Sequence, residues 1–183
     1  MRIADGQSLR IAEAGTVLML DYTGALAAHG GDSRFGVALG FRMLQSAAGA
    51  LSKDTLWDRE GLFVVSGHPG NGVRDAVEYV TRCVSRRRYR VQVDDADRGC
   101  RRDMRFAWEV SDKAAVVAIR LRDEHVPQEL LELLDRLGTS REQKHDTRDC
   151  VGLKHRLAQQ VWDHPLEQIF EIEVAQAAGT RHA

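Results

Sequence analysis

His29, His68 and Cys83 are the residues of this chain whose types best suit a transition-metal ion. Neutral imidazole and thiolate bind zinc or a similar borderline metal at about 2.0–2.3 Å, and three protein ligands leave a further position for water or substrate. His68 lies in a glycine-rich turn, GHPGNG from Gly67 to Gly72, between an apolar run and a helical pattern. That turn is also a candidate anion site. Gly70, Asn71 and Gly72 stand where a helix begins, and the first N–H groups of a helix have no intrahelical partner. The turn lacks the Lys-Ser/Thr of a P-loop and the full spacing of a dinucleotide fingerprint, so it does not read as a nucleotide site. Plain structural roles compete with each reading. Glycines permit tight turns, Cys83 would serve as a small buried hydrophobe, and His29 would complement a helix C-terminus.

Geometry restricts the metal set. A helix of about 18 Å separates His68 from Cys83 at 1.5 Å per residue, so one helix cannot bring both to a single ion. His29 must then pair with one or the other, unless a second chain supplies the third ligand. Two further groups carry weaker signals. Arginines 82, 86, 87, 88, 90, 98, 101, 102 and 105 cluster, but Asp94, Asp95, Asp97 and Asp103 interleave with them and only Tyr89 and Phe106 offer stacking. This describes a salt-bridged, solvated strip better than a nucleic-acid face. Cys150 and His155 are five apart, off the i, i+4 match of one helix face, which argues against a Cys–His site there; His164 adds nothing to it.

The elements that must position these residues follow from periodicity. Asp21 caps YTGALAAHG, which ends in a glycine pair. Phe35 to Leu51 follows a helical period, and Gly36 and Gly40 lie four apart, so another backbone can approach that face. Leu62–Ser66 reads as a buried strand, and Asn71 as the N-cap of a helix from about Val73 to Val84. Tyr89, Val91 and Val93 alternate as a strand. Met104, Phe106, Trp108 and Val110 share one face of a second strand, which turns at Ser111–Lys113 into Ala114–Leu121. PQELLELLDRLG is a marked helix, TSREQKHDTRD a polar loop, Leu153–Asp163 another helix and Ile169–Ala175 a last strand, before a frayed AAGTRHA. Helices, a strand–helix–strand unit, a meander and more helices argue an α+β fold, one mixed sheet packed with helices in a single domain over residues 1–183.

Composition narrows the class. With 26 Lys and Arg against 27 Asp and Glu, net charge is -1, so no global field favours nucleic acid or a membrane surface. No apolar run approaches the roughly 20 residues that span a bilayer. The N-terminal segment does not read as a signal peptide, and three dispersed cysteines suit a reducing, cytoplasmic setting.

HGGDSRFGVALGFRMLQSA (residues 29–47) and DAVEYVTRC (residues 75–83), with KAAVVAIRL after them, resemble the E-subunit family of formylmethanofuran dehydrogenase, including its stand-alone relatives, in order and spacing. The resemblance spans roughly residues 20–125 and leaves 126–175 as a helical and strand extension. It implies that family's α+β fold, a homodimer, a link to one-carbon metabolism and a metal site that retains His29 and Cys83. His68 would replace a lost ligand and Asp75 would orient a ligand. Where the family has a second His and a Cys, this chain has Gly31 and Arg34. The component that gives the family its name is not the catalytic one of its complex. The expectation is therefore a small metal- or anion-binding protein with zinc as the metal. The alternatives are a metal-assisted enzyme acting on a small anionic substrate, or a partner-binding protein working through the Gly36/Gly40 face or the arginine strip.

Overall fold

The computed structural model describes residues 4–52, 55–92 and 100–177. The chain opens with three short antiparallel strands, β1 (Ala4–Asp5), β2 (Ser8–Glu13) and β3 (Thr16–Asp21). Ala14 and Gly15, both at positive φ, make the two-residue turn between β2 and β3. Asp21 then caps α1 (Tyr22–His29), accepting the Gly24 N–H at 2.7 Å, and Gly30 closes that helix at φ 64°.

The next helix, α2 (Arg34–Leu51), organises the molecule. Every residue from Phe35 to Ala48 is buried, so no side of that stretch faces solvent. Its few polar side chains in that stretch, Arg42, Gln45 and Ser46, are buried too and bonded inside the protein. It packs against α1, α3 and α5 and also touches both sheets.

The larger sheet is mixed. Its order is β5–β4–β6–β7–β8: β5 (Tyr89–Val91), β4 (Phe63–Ser66), β6 (Ala107–Ser111), β7 (Ala115–Leu121) and β8 (Phe170–Gln176). Only β4 and β5 are parallel, joined through α3 (Asn71–Thr81); the other pairs are antiparallel. Val64, Trp108, Val110, Val117, Ile119, Leu121 and Phe170 are among its buried residues. The architecture is α+β with a mixed sheet packed on helices, as the element order predicts.

Three expectations shift. The third helix starts at Asn71 and ends at Thr81, with Gly70 as its N-cap and Arg82 stopping it in the left-handed region. The polar stretch after α4 (Gln128–Leu134) is not wholly a loop: α5 (Asp146–Asp163) begins inside it. The cause is Asp146, which is buried, accepts the Gln143 N–H at 2.9 Å and pairs with Arg136 at 3.2 Å. The Gly36/Gly40 face is already occupied by α3, so no partner can use it. A methyl at Gly36 would meet Gly72 Cα at 3.2 Å, and one at Gly40 would meet Val73 Cα at 3.1 Å. Val93, Arg98, the turn that ends at Cys100 and the tail after Ala177 fall mostly outside the described residues.

No helix of the described residues is long and apolar enough to cross a membrane.

Candidate functional site

The site grows from the end of β4. Ser66 is fully buried; its hydroxyl donates to the His68 carbonyl at 2.9 Å and accepts the His68 N–H at 3.1 Å. This pair of hydrogen bonds to its own chain folds the turn sharply after the strand. Gly67 continues the sheet pairing, donating to Ala107 O at 2.8 Å and accepting from Arg105 N at 3.0 Å. His68 is thereby swung inward, where it is 3% exposed. Its ring meets Phe106 edge-on at 5.2 Å and lies nearly parallel to Trp108 at 6.4 Å.

The ring's proton inventory is defined by its surroundings. Nδ1 accepts the Gly70 N–H at 3.0 Å. Burial pushes the imidazole down to about 4, so it is neutral at neutral pH. A neutral ring whose Nδ1 accepts carries its proton on Nε2. The bond to Gly70 also explains why α3 begins at Asn71: Gly70 is held extended and cannot join the helix. Among the described residues no side chain caps α3 or α2, so first-turn N–H groups at both N-termini are left to other acceptors.

Those two N-termini meet. Gly72 packs against Ser33 O and Val37 N at the head of α2. Beside the junction is a cavity of about 40 Å³ whose walls include Ser33, Gly36, His68, Gly70, Cys100 and Lys154. His68 and Cys100 are neighbours across Gly70. A methyl built on Gly70 would lie 2.5 Å from His68 Cε1 and 2.7 Å from Cys100 Sγ. Cys100 is not an activated nucleophile here. Burial pushes its thiol up, against a smaller opposing pull from Lys154. His68 has no free lone pair to take its proton, because Nδ1 is engaged and Nε2 is protonated.

The other sequence-predicted ligands are elsewhere. His29 Nδ1 lies 2.8 Å from Asp75 Oδ2, and His29 Nε2 accepts the Ser33 N–H at 3.3 Å. Both ring nitrogens are engaged, and no lone pair is left for an ion. Asp75 orients His29, which ties the α1–α2 turn to α3. Cys83 is buried beyond the far end of α3, its thiol donating to Leu62 O at 3.4 Å and pushed up by burial. The structure thus brings His68 together with Cys100 and the α3 N-terminus, but not with His29 or Cys83. Among the described residues no three His, Cys, Asp or Glu side chains group as a metal centre. The donor set does not fit the zinc that the resemblance implies.

Other concavities are wider but already neutralised. A groove of about 560 Å³ beside α4 and α5 holds the Arg136–Asp146 and Arg156–Glu129 pairs. The open sheet face, about 320 Å³, holds Arg120 bridged to Glu171 at 2.6 Å. The arginine strip is similarly engaged: Arg86 with Glu13, Arg82 with Glu78 and Arg102 with Asp135.

Cys100 and Lys154 are the site residues that sequence reading misses. Cys100 follows the sequence DDADRG, which carries no periodic signal, and only tertiary packing brings it to His68. Lys154 had a visible cue, lying four residues after Cys150 on one helix face.

The buried neutral imidazole has a measurable consequence. Below 6.5 the unfolded chain takes up a proton that folded His68 refuses, so stability falls as pH falls toward about 4. Between neutral pH and pH 5 the loss from this group is about 2 kcal/mol. Urea unfolding of wild type and His68→Gln across that range should show it in wild type alone; parallel profiles would refute the assignment.

No family model matches the chain, and no curated protein matches its sequence.

Proposed function

We propose that this chain binds a small anionic ligand in the cavity over His68. The observation that carries the reading is the donor character of the cavity wall. The unengaged ring nitrogen of His68 is an N–H, the capless first turns of α2 and α3 offer further N–H groups, and Lys154 adds a cation. Donors without matching acceptors call for an acceptor-rich guest, and helix N-termini favour negative charge. Gly70, Asn71 and Gly72 remain the anion-binding residues, with His68 as a hydrogen-bond donor instead of a metal ligand.

Titration of formate, acetate, phosphate and sulfate into isotopically labelled protein tests this by NMR. The amides of Gly70, Asn71 and Gly72 should shift with a saturable ligand. Gly70→Ala, whose methyl would enter between His68 and Cys100, should abolish the shift while the helices persist. Absence of any saturable shift in wild type would end the proposal.

The homodimer implied by the resemblance belongs to the same reading. β8 is a free edge of the larger sheet, and Ile172 and Val174 on it are 40% and 47% exposed. An exposed apolar edge strand favours pairing with another chain. Light scattering on wild type and Val174→Lys should show a dimer that dissociates; a monomeric wild type removes it. A cytoplasmic setting is supported by Cys83, Cys100 and Cys150 all being free thiols.

A further inference from the structure

Resting on the anion reading, we infer that the ligand is a short-chain monocarboxylate, its carboxylate beside His68 and Lys154 and its hydrocarbon tail against Phe35, Met104, Leu130 and Leu134. Three observations select this class from the anions.

The first is charge. His68 is neutral, so it contributes a dipole and not a cation. Among the described residues Lys154 is the one cationic side chain in the cavity wall, and it pairs with no carboxylate there. One cation plus helix-terminal N–H groups balances a monoanion. A phosphate or sulfate dianion would leave a buried charge uncompensated, which is costly in an apolar surround.

The second is the apolar part of the wall. Phe35 comes from the first turn of α2, Leu130 and Leu134 from α4, and Met104 from the turn before β6. Phe35, Met104 and Leu130 are themselves buried. A purely inorganic anion gains nothing there, whereas a hydrocarbon tail is removed from water. Met104 is an adaptable lining that tolerates a tail of varied shape.

The third is size. A cavity of about 40 Å³ takes a few heavy atoms and excludes nucleotides, sugars and long acyl chains. The His68 side chain, over nine-tenths buried with no described partner on Nε2, is the polar group built into this wall with a donor to spare.

Protection of Cys100 reads occupancy directly, because Cys100 is part of the wall and partly exposed whereas Cys83 and Cys150 are buried. The full chain is treated with N-ethylmaleimide in the presence of acetate, propionate, butyrate, propionamide, phosphate or sulfate. Labelling is read at each cysteine by peptide mass spectrometry, and affinities come from calorimetry. Propionate should protect Cys100, propionamide should not, and Lys154→Met should weaken propionate by about tenfold or more. His68→Gln should weaken it too, and Lys154→Met decides the matter if that variant fails to fold. Protection by phosphate or sulfate but not by carboxylates would overturn this inference and leave the anion reading standing. Equal protection by propionamide and propionate would overturn it because charge is then not read. No protection by any anion, with no shift of the Gly70–Gly72 amides, would overturn both.

Discussion

Gly72→Ala is expected to destabilise the protein by about 3 kcal/mol, the upper end of what overpacking a close contact costs. Gly72 is the second residue of α3 and lies against the head of α2. A methyl there would sit 2.7 Å from Ser33 O, 2.9 Å from Val37 N and 3.0 Å from Gly36 Cα. All three atoms are backbone, so no side chain can rotate away. The helices must separate, and α2 is the buried axis of the fold, so the strain reaches every layer around it. The gain in helix propensity from Gly to Ala, about 1 kcal/mol, is too small to offset this.

The same substitution elsewhere in the pair supplies the control. Gly49, near the exposed end of α2, has nothing within 4 Å of a built methyl. Gly49→Ala should therefore stabilise by about 0.5–1 kcal/mol through propensity and the unfolded chain. Gly40→Ala falls between the two, since its methyl would approach Ala76 Cβ at 3.0 Å and Val73 Cα at 3.1 Å. Equilibrium urea unfolding of the three variants tests the order. A Gly72→Ala protein as stable as Gly49→Ala would mean that the two helix heads do not touch, and the shared cavity beside them would lose its foundation.

This crossing was partly legible in the sequence. Glycines four apart at 36 and 40 announce a close approach on one helix face. The identity of the approaching backbone was not legible, because Gly72, at the head of α3, stands 36 positions beyond Gly36 and belongs to no shared local pattern. The same division holds across the chain. Asp21 as a cap, the alternation from Met104 to Val110 and the helical period of α2 are local signals; the first and last correspond to whole elements, and the alternation to β6 only from Ala107 onward. The beginning of α5 depends on Asp146 meeting Arg136, and the polar composition around it carries no period that shows this. The candidate site divides likewise. The glycine-rich turn, with His68 in it, and the helix N-terminus that follows were readable. The engagement of both His29 nitrogens, and the presence of Cys100 beside His68, arise from contacts between distant segments.

Arg59→Met is expected to cost about 4 kcal/mol, the range seen when one partner of a buried ionic network is removed. Arg59 is 3% exposed and makes three bonds at once. Nε donates to Val80 O at 2.7 Å, Nη2 to Tyr79 O at 2.9 Å and Nη1 to Glu13 Oε2 at 2.8 Å. The first two acceptors are last-turn carbonyls of α3, which have no partner within the helix. A cation at that end also complements the helix dipole. The segment carrying Arg59 is itself stitched to β2: Arg59 N–H donates to Ala12 O at 3.0 Å, and Ala12 N–H to Trp57 O at 2.9 Å. One side chain thus joins the first sheet to the helix that begins at the candidate site. Lysine cannot reproduce the fork, so Arg59→Lys should recover less than half of the loss. Glu13→Gln should cost far less, since Glu13 is partly exposed and its pair is screened by solvent. Its signature is in pH. The bond from Arg59, aided by Arg86, holds the Glu13 carboxyl below its ordinary range. A depressed carboxyl contributes stability that is present above its ordinary value near 4.5 and is lost as pH falls through the lower folded value. Glu13→Gln should therefore flatten the acid limb of the stability profile, whereas Arg59→Met should lower the whole profile, including at pH 7. If Arg59→Met unfolds within about 1 kcal/mol of wild type, the three bonds contribute only at the level of surface pairs. The α3 C-terminus would then have to be anchored by its apolar face alone.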